Sequence, residues 1–171
     1  KKYKRRNNDS YFFSNFTSSW GWATWRNRWQ GIYDKEIHLW PKIKNEMWLK
    51  DIFHNQKSYN FWTKAFDRRF KNLDDDWDRP WTLANLINNR LNIFPDKNLI
   101  SNIGDDKAAL HSNPKKWNNL KLENIQFPLI HPKIIRCDSN VDNFLTTEGF
   151  SIPNLKYRIK NKLKSLFLNK I

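Results

Sequence analysis

The stretch DDDWDRPW, residues 74–81, most constrains how this chain can fold. Four carboxylates fall within five residues there, beside two tryptophans and a proline. The sequence continues as TLANLINNRLNIFP, and Pro80 stands early in that stretch, where the first turn of a helix tolerates proline. Apolar residues then recur at the spacing of one helix face: Trp81, Ala84 and Ile87. We therefore expect a loop that ends near Asp78 and a helix that begins there.

Asp78 has two possible roles at this helix start. A carboxylate held between two indoles is placed to accept a proton from a substrate hydroxyl. The same residue is a good N-cap, because its oxygen can satisfy free N–H groups of the first turn. From these residues alone capping is the more frequent role. The neighbouring acids Asp74, Asp75 and Asp76 predict a solvated acidic turn and no metal site.

The composition indicates one folded domain. The 171 residues are 16% aromatic, which is enough to build a core despite the polar average. The single cysteine, Cys137, excludes an internal disulfide and a cysteine-based zinc cluster. No run of 18 apolar residues predicts a membrane span. The chain begins at Lys1 without Met, and we expect it to be a piece of a longer protein.

The net charge of +14 is concentrated at the two ends. Residues 1–6 and 156–170 hold eleven of the 31 basic residues, which leaves 20 basic and 17 acidic residues, or +3, elsewhere. A nucleic-acid-binding domain would place its basic residues on a face of the fold. Basic ends favour contact with an anionic membrane surface instead.

Two stretches predict helices with an apolar face. Residues 34–54 suggest two helical pieces broken at Pro41, and we expect three side chains to turn inward: Ile43, Met47 and Trp48. Ser58 is a plausible N-cap for the next helix. Its apolar face is formed by Tyr59, Trp62, Phe66 and Phe70, and its outer side by Arg68, Arg69 and Lys71.

A short strand is expected at residues 11–16, and short buried strands are expected at 91–95 and 98–104, because these stretches are rich in apolar and aromatic residues. Residues 127–144 contain two prolines around an apolar run and predict an ordered extended segment rather than a helix. His131 in that segment is expected to be structural.

The stretch WGWATWRNRW, residues 20–29, is too rich in tryptophan for a one-faced helix. Gly21 allows the backbone to pass close to a neighbour, and a helix can begin after it. The four indoles, Trp20, Trp22, Trp25 and Trp29, have two alternative uses. They form an aromatic core layer, or they form a platform for the apolar faces of a sugar.

A loop follows Gly104 and carries Asp105 and Asp106 before His111. A histidine after such a loop is a candidate metal ligand or phosphate contact, although a lone histidine more often has neither role. The chain contains no GxGxxG, P-loop, HExxH or GxSxG pattern, so any nucleotide site lies elsewhere.

The tail, residues 154–171, alternates apolar and basic residues. Its apolar positions fall on one helical face: Leu155, Ile159, Leu163, Leu166 and Phe167. This pattern is typical of an amphipathic helix at a membrane surface. The pattern fits equally well a helix that docks on another part of the same protein.

Several motifs occur in an order that resembles one protein family: SYFFSNFTSSWGWATWR, WDRPW, NLISNIG and PLIHP. The chain is similar, from about Ser10 to Phe144, to the C-terminal half of bacterial family 2-like glycosyltransferases of the hemolysin-like group. The resemblance implies a mixed α/β (α+β) chain that forms the acceptor-side half of a GT-A fold, with several helices and short strands. It divides the chain into a basic lead-in (1–10), the glycosyltransferase part (11–153) and the tail helix (154–171).

The resemblance also implies an activity and a set of site residues. The enzyme would move a sugar from a nucleotide-diphosphate donor to a saccharide or lipid-linked acceptor, with Asp78 as the general base. Substrate would be bound by Trp20, Gly21, Trp22, Trp25, Arg26, Trp77 and Trp81. Asp106 and His111 would contact the diphosphate or a metal, although the loop NIGDDKAALHS lacks the Phe-Gly pair that the family pattern has after NIG.

The remaining implications concern the whole enzyme. A preceding half would hold the nucleotide and a DxD-type motif, with Mn²⁺ or Mg²⁺ as cofactor. The protein would be cytoplasmic and peripheral to the inner face of the membrane. Two other functions are alternatives: a non-catalytic module that anchors on an anionic membrane, and a domain that binds single-stranded nucleic acid through aromatics and lysines.

Overall fold

The computed structural model describes residues 7–53, 55–101 and 120–146. Along the chain, its helices and strands are β1 (Tyr11–Ser14), α1 (Arg26–Gln30), α2 (Trp40–Asn45), α3 (Leu49–Ile52), α4 (Gln56–Phe70), α5 (Asp78–Ile87), β2 (Asn92–Pro95) and α6 (Ser139–Phe144). Predictions for the lead-in up to residue 6, for Asp105, Asp106 and His111, and for the tail lie outside the described residues.

The sheet pairs β1 with β2 in antiparallel orientation, as the aromatic and β-branched residues of both stretches predict. The register sets Phe12 opposite Phe94, and their rings stack with centroids 5.7 Å apart. Such cross-strand pairs stabilise a short sheet. The expectation that the second strand is buried was wrong, because no residue of β2 is buried and Ile93 is exposed. The third predicted strand was wrong in its described part, because residues 98–101 form no strand.

Helix α4 supplies the centre of the core. Its inward face holds Trp62 and Phe66, as predicted, but Phe70 is exposed because it lies at the last residue of the helix, beyond the core. The predicted N-cap was wrong. The cap is Asn55, whose side chain accepts a hydrogen bond from the Ser58 N–H at 2.8 Å. Ser58 itself is buried, and its hydroxyl lies 3.0 Å from that of Thr146.

The predicted break at Pro41 was also wrong. Pro41 lies in the first turn of α2, where no helical hydrogen bond needs its missing N–H. The chain turns at Met47 instead, which has a positive φ of 58°. Ile43 is buried as expected, but Met47 and Trp48 are half exposed, since they lie in the turn between α2 and α3.

The core gathers aromatic side chains from distant parts of the chain. Phe16 stacks on Trp62 with centroids 5.5 Å apart, and Trp40 meets Phe66 edge to face at 5.2 Å. All four side chains are buried. The packed residues are Phe16, Ile37, Trp40, Ile43, Leu49, Phe53, Trp62, Ala65, Phe66, Leu83 and Leu86.

The segment from residue 120 to 138 runs along β1 in an irregular, extended form. The N–H of Ser10 donates to the carbonyl of Ile130 at 2.8 Å, and Phe13 bridges to Cys137. Tyr11 Oη lies 2.9 Å from His131 Nδ1, a structural contact for that histidine. The expectation of no helix in residues 127–144 was wrong at its end, because Asp138 caps α6 by accepting from the N–H of Asn140.

The described part of the chain is therefore a mixed α+β structure, with helices and one small antiparallel sheet. The α+β class expected from the sequence is confirmed at this level. Within the described ranges, no helix combines the length and apolar character needed to cross a bilayer.

Candidate functional site

Helix α5 begins at Asp78, and this start organises the candidate site. The N-cap is Trp77, whose side chain makes no capping bond, so Asp78 is the first helical residue and not the cap. A carboxylate in the first turn is favoured by the positive end of the helix dipole. Thr82 Oγ1 donates to the Asp78 carbonyl at 2.9 Å and accepts from the Thr17 hydroxyl, which ties the helix start to the chain after β1.

Four indoles pack against one another beside this helix start. We call them the indole cluster: Trp22, Trp29, Trp77 and Trp81. Trp22 stacks on Trp77 with ring centroids 4.7 Å apart, and the Trp29 ring centroid lies 5.0 Å from that of Trp81. Trp81 is only 5% exposed and forms the floor of the cluster, whereas Trp77 is 38% exposed and forms its rim.

The other predicted substrate contacts lie around this cluster. Gly21 has a φ of +60°, and a Cβ there would lie 2.1 Å from Ile100 Cδ1, so only glycine fits at this approach. Trp20 and Trp25 are exposed, and Arg26 is the exposed first residue of α1. Of the seven predicted residues, the structure therefore joins Trp22, Trp77 and Trp81 by ring contacts.

The acidic turn before α5 is not the solvated turn expected from the sequence. Arg68 binds both oxygens of Asp74, at 2.8 Å and 2.6 Å, and Arg79 pairs with the same carboxylate. The hydrogen bond from Arg68 holds the pKa of Asp74 below its usual value. Only Asp75 fits the expectation, because its side chain is exposed and lies 3.7 Å from Lys35.

Asp76 is the residue that sequence reasoning missed. One of its oxygens lies 2.6 Å from Arg79 Nη1, while Oδ1 is enclosed and has no hydrogen-bond partner among the described residues. Burial raises its pKa, Arg79 opposes this, and the charge of Asp78 raises the pKa further. Asp76 and Asp78 therefore act on each other electrostatically. The available signal was its place in the same turn, two residues before Asp78.

Tyr33 connects the indole cluster to these carboxylates. Its ring stacks on Trp29 with centroids 3.9 Å apart. Burial raises the pKa of its phenol; the positive charge of Arg69 lowers that pKa, while Asp76 and Asp78 raise it. The phenol therefore stays protonated at neutral pH and can donate a hydrogen bond. No motif around residue 33 indicated this role.

Arg69 holds the two loops at the edge of the site. The expectation that it lies on the outer side of α4 was wrong, because it is only 3% exposed. Its guanidinium donates to the Lys35 carbonyl at 2.9 Å and to Asn72 Oδ1 at 2.9 Å. A guanidinium has enough donors to join two chain segments at once. Arg69 therefore fixes the loop that carries Tyr33 against the turn that carries Asp76.

A cavity lies near Cys137, and no residue of the indole cluster lines it. It encloses about 180 Å³ and is lined partly by Asn15, Ser58 and Asp142. Asp142 already accepts from Ser14 Oγ, from the Asn15 N–H and from the Cys137 thiol. Burial and that hydrogen bond raise the pKa of Cys137 to about 12, so its thiol is unreactive at neutral pH. These groups hold β1 to α6.

Metal binding was predicted for Asp106 and His111, which lie outside the described residues. Within residues 7–53, 55–101 and 120–146, no group of three or more His, Cys, Asp or Glu side chains is arranged to hold a metal ion. In the acidic turn, Asp74 and Asp76 are paired with arginine instead. The metal site remains a prediction about other residues.

The chemistry at the start of α5 thus combines half-exposed indole faces, two neighbouring carboxylates and a protonated phenol. Such a set can pack on the apolar face of a polyhydroxylated ligand and accept hydrogen bonds from its hydroxyls. In comparisons with known proteins, no family model, no curated protein and no solved structure matches this chain.

Proposed function

We propose that this chain is the acceptor-side half of a glycosyltransferase with a GT-A fold. The observation that carries the proposal is the place of Asp78, at the first turn of α5, beside the indole cluster and the half-buried Asp76. A saccharide needs both kinds of group, because its C–H faces pack on indoles while its hydroxyls require acceptors. The resemblance of the WGWATWR and WDRPW motifs to the family gives the same residues this role.

Asp78 would act as the general base in the complete enzyme. Its carboxylate takes the proton of the acceptor hydroxyl as that oxygen bonds to C1 of the donor sugar. The bond from C1 to the phosphate oxygen breaks, and the nucleoside diphosphate leaves with its electron pair. A divalent metal, Mn²⁺ or Mg²⁺, would stabilise that diphosphate. Asp106 and His111 are the candidates within this chain for contact with the diphosphate or the metal.

Asp76 and Tyr33 would position the acceptor. The Asp76 side chain is 19% exposed, and this exposed part would accept from a ligand hydroxyl, since Oδ1 itself is enclosed. Tyr33 keeps its proton to high pH and can donate to a second oxygen of the same sugar. The exposed part of Trp77, with Trp20, Trp25 and Arg26 nearby in sequence, would contact the rest of the glycan.

A transfer assay on the full-length enzyme tests this function. The enzyme is incubated with a panel of nucleotide-diphosphate sugars, Mn²⁺ and lipid-linked or oligosaccharide acceptors, and products are identified by mass spectrometry. Asp78→Asn should lower kcat by about 10²–10⁴-fold, the usual contribution of a general base. Asp75→Asn is the matched control, because Asp75 is an exposed carboxylate of the same turn, and it should leave kcat unchanged.

Two results of this assay would contradict the proposal. Near-normal turnover by Asp78→Asn would remove the base from the mechanism. Equal losses in Asp78→Asn and Asp75→Asn would indicate a general effect of charge on the turn. Thermal unfolding of each variant, measured in parallel, separates lost catalysis from lost folding.

The proposal that this chain is only the acceptor-side half has a separate test. Residues 1–171 contain no phosphate-cradling glycine loop, so the isolated chain should bind UDP-sugars with Mn²⁺ too weakly for calorimetry to detect. Clear metal-dependent binding by this chain would place the donor site within it. The acceptor-side assignment would then be wrong.

We also propose that the enzyme is cytoplasmic and peripheral to the inner face of the membrane. The tail carries six basic residues and no acid, interleaved with its apolar positions. Lys-to-Gln substitutions in the tail should weaken binding to anionic vesicles, because each lysine near the surface contributes about 1 kcal/mol. Binding that is unchanged by these substitutions would assign the tail to packing within the protein.

A further inference from the structure

An exposed apolar surface lies on the irregular segment that runs beside β1. We define the apolar segment as residues 127–136, FPLIHPKIIR. Three of its large side chains are almost fully open to solvent: Phe127 (77% exposed), Ile134 (73%) and Ile135 (76%). Ile130 is exposed as well. Single exposed apolar residues are ordinary, but four within nine residues mark a contact surface.

The apolar segment is held in place from two sides. Near its middle, the carbonyl of Ile130 accepts from Ser10 N–H at 2.8 Å, and its N–H donates to Ser10 Oγ at 2.9 Å. Just after its end, the N–H of Asp138 donates to the Phe13 carbonyl at 2.9 Å. Ile134 and Ile135 lie between these two attachments. Their exposure therefore belongs to an ordered part of the chain and not to a loose loop.

Charge selects the partner for this surface. Lys133 and Arg136 are exposed within the segment, and no acid occurs between Glu123 and Asp138. A second copy that met this segment with its own would bring basic residues against basic residues. The tail, which is also basic and without acids, would be repelled in the same way. An anionic lipid surface offers both an apolar layer for the isoleucines and negative headgroups for the basic side chains.

We propose that the apolar segment inserts into the interfacial layer of an anionic membrane, with Phe127, Ile134 and Ile135 in the acyl boundary and Lys133 and Arg136 at the headgroups. The contact is a property of the described fold, separate from the tail. It holds whether or not Asp78 is a catalytic base. It would set the angle of the indole cluster to the membrane, whereas a tail alone would only tether the protein.

The first experiment reads the environment of the segment directly. In the full chain with Cys137→Ser, an environment-sensitive fluorophore is attached at Ile135→Cys. The Cys137→Ser background keeps a hydroxyl donor to Asp142. Vesicles of phosphatidylcholine with phosphatidylglycerol should shift the emission to the blue, and phosphatidylcholine alone should not. The matched control is the same label at Leu73→Cys, an exposed leucine beside the acidic turn, which should stay in water.

The second experiment measures affinity by co-sedimentation with the same vesicles. Phe127→Ser with Ile135→Ser should weaken binding by about tenfold or more, because two large apolar side chains no longer enter the lipid. Lys133→Gln with Arg136→Gln should remove the preference of the segment for anionic lipid, a loss of about tenfold. Leu39→Ser with Leu73→Ser changes two exposed leucines outside the apolar segment and should leave affinity unchanged.

Three results would overturn the proposal. A label at position 135 that stays in water while the chain binds vesicles would leave the tail as the only contact. Unchanged affinity in the Phe127→Ser, Ile135→Ser variant would also leave the tail as the only contact with the vesicles. A blue-shifted label without vesicles, lost on dilution, would show that a second copy covers the segment. Apart from the half-buried Cys137, the changed side chains are exposed, and circular dichroism with thermal unfolding verifies that each variant is folded.

Discussion

Two aromatic regions of this molecule are built from the same residue types and differ in what surrounds them. The core around Phe66 places Trp40 and Trp62 in full contact with other apolar side chains, all buried. The indole cluster stacks its rings as closely, but Trp77 is open on one side. The cluster also borders carboxylates and a phenol. Stacking by itself therefore does not separate a core from a binding surface.

The charged residues beside each region distinguish the core from the indole cluster. At the edge of the core, Asp67 accepts from Trp40 Nε1 at 3.0 Å and pairs with Lys44 at 2.7 Å. Burial alone would raise the pKa of Asp67, but these two bonds hold it below its usual value. Asp76 beside the indole cluster has a raised pKa and an enclosed oxygen without a described partner. Asp67 is therefore paired at the edge of the core, whereas Asp76 keeps an oxygen without a described partner beside the proposed site.

The largest effect is expected in the core. Phe66→Ala should lower the free energy of unfolding by about 3–5 kcal/mol, because it empties a fully buried site against Trp40 and Trp62. Urea denaturation monitored by far-ultraviolet circular dichroism gives the value. Phe70→Ala, at the exposed end of the same helix, is the control and should cost far less. Equal losses would mean that the core does not centre on Phe66.

The link between the two regions is Arg69, and its loss should have the next largest effect. Arg69→Ala leaves the Lys35 carbonyl and Asn72 without their donor, which should cost about 1.5–3 kcal/mol. Arg69→Lys should recover only part of this loss. A lysine ammonium lacks the planar set of donors with which the guanidinium bonds both loops at once. Arg68→Ala, a more exposed neighbour, should destabilise less, and the reverse ranking would contradict the role of Arg69.

A smaller effect on stability is expected at the rim of the indole cluster. Trp77→Ala should cost about 1 kcal/mol, the order of one aromatic pair, since its ring is already partly in water. Trp81→Ala, which removes the buried floor, should cost about 3–5 kcal/mol. The proposed function predicts that Trp77→Ala raises KM for the acceptor in the full-length protein. A loss of stability in Trp77→Ala as large as in Trp81→Ala would make the cluster a second core.

The smallest effect concerns the pH dependence of the acidic turn. The folded pKa of Asp74 is lowered, so its contribution to stability is present above the usual value of 3.8 and is lost as pH falls through the folded value. Asp74→Asn should therefore be less stable than the parent chain at pH 7, by about 1 kcal/mol or less because the pair is near the surface. The difference should disappear in acid.

Asp76 is the control, because its contribution to stability should change with pH in the direction opposite to that of Asp74. The pKa of Asp76 is raised in the folded chain. Its contribution to stability is therefore present below pH 3.8, the usual pKa, and is lost as pH rises through the folded pKa. Asp76→Asn should gain stability relative to the parent chain as pH increases over that window. Thermal unfolding between pH 3 and pH 7 compares the two variants. If the stabilities of both variants, relative to the parent chain, changed with pH in the same direction, burial of Asp76 in the turn would be contradicted.

Sequence reasoning was accurate where a local pattern decides the structure. The spacing of Trp62 and Phe66 predicted the buried face of α4, and the Asp-Arg-Pro sequence predicted the start of α5 at Asp78. The aromatic runs at residues 11 and 92 predicted both strands. These features depend on periodicity, on the fixed φ of proline and on strand preference, all of which act over a few neighbouring residues.

Errors arose where two candidates compete for one local role. Asn55, rather than Ser58, caps α4, since both are good caps and the packing of Ser58 against Thr146 places it inside the helix. Pro41 suits the first turn of a helix as well as a break. Arg69 was assigned to solvent because arginine usually is, whereas distant carbonyl groups satisfy it in the interior.

The sequence by itself determined that Trp62 and Phe66 face the core from α4, that two strands form, and that Asp78 lies at a helix start, because these features depend on neighbours along the chain. Only the tertiary structure decided which aromatics become floor, rim or core, and that Asp76 is enclosed beside Asp78 with Tyr33 nearby. The reason is that burial and charge pairing are set by residues tens of positions apart, such as Arg69 and Lys35. A single sequence carries no local signal for such contacts.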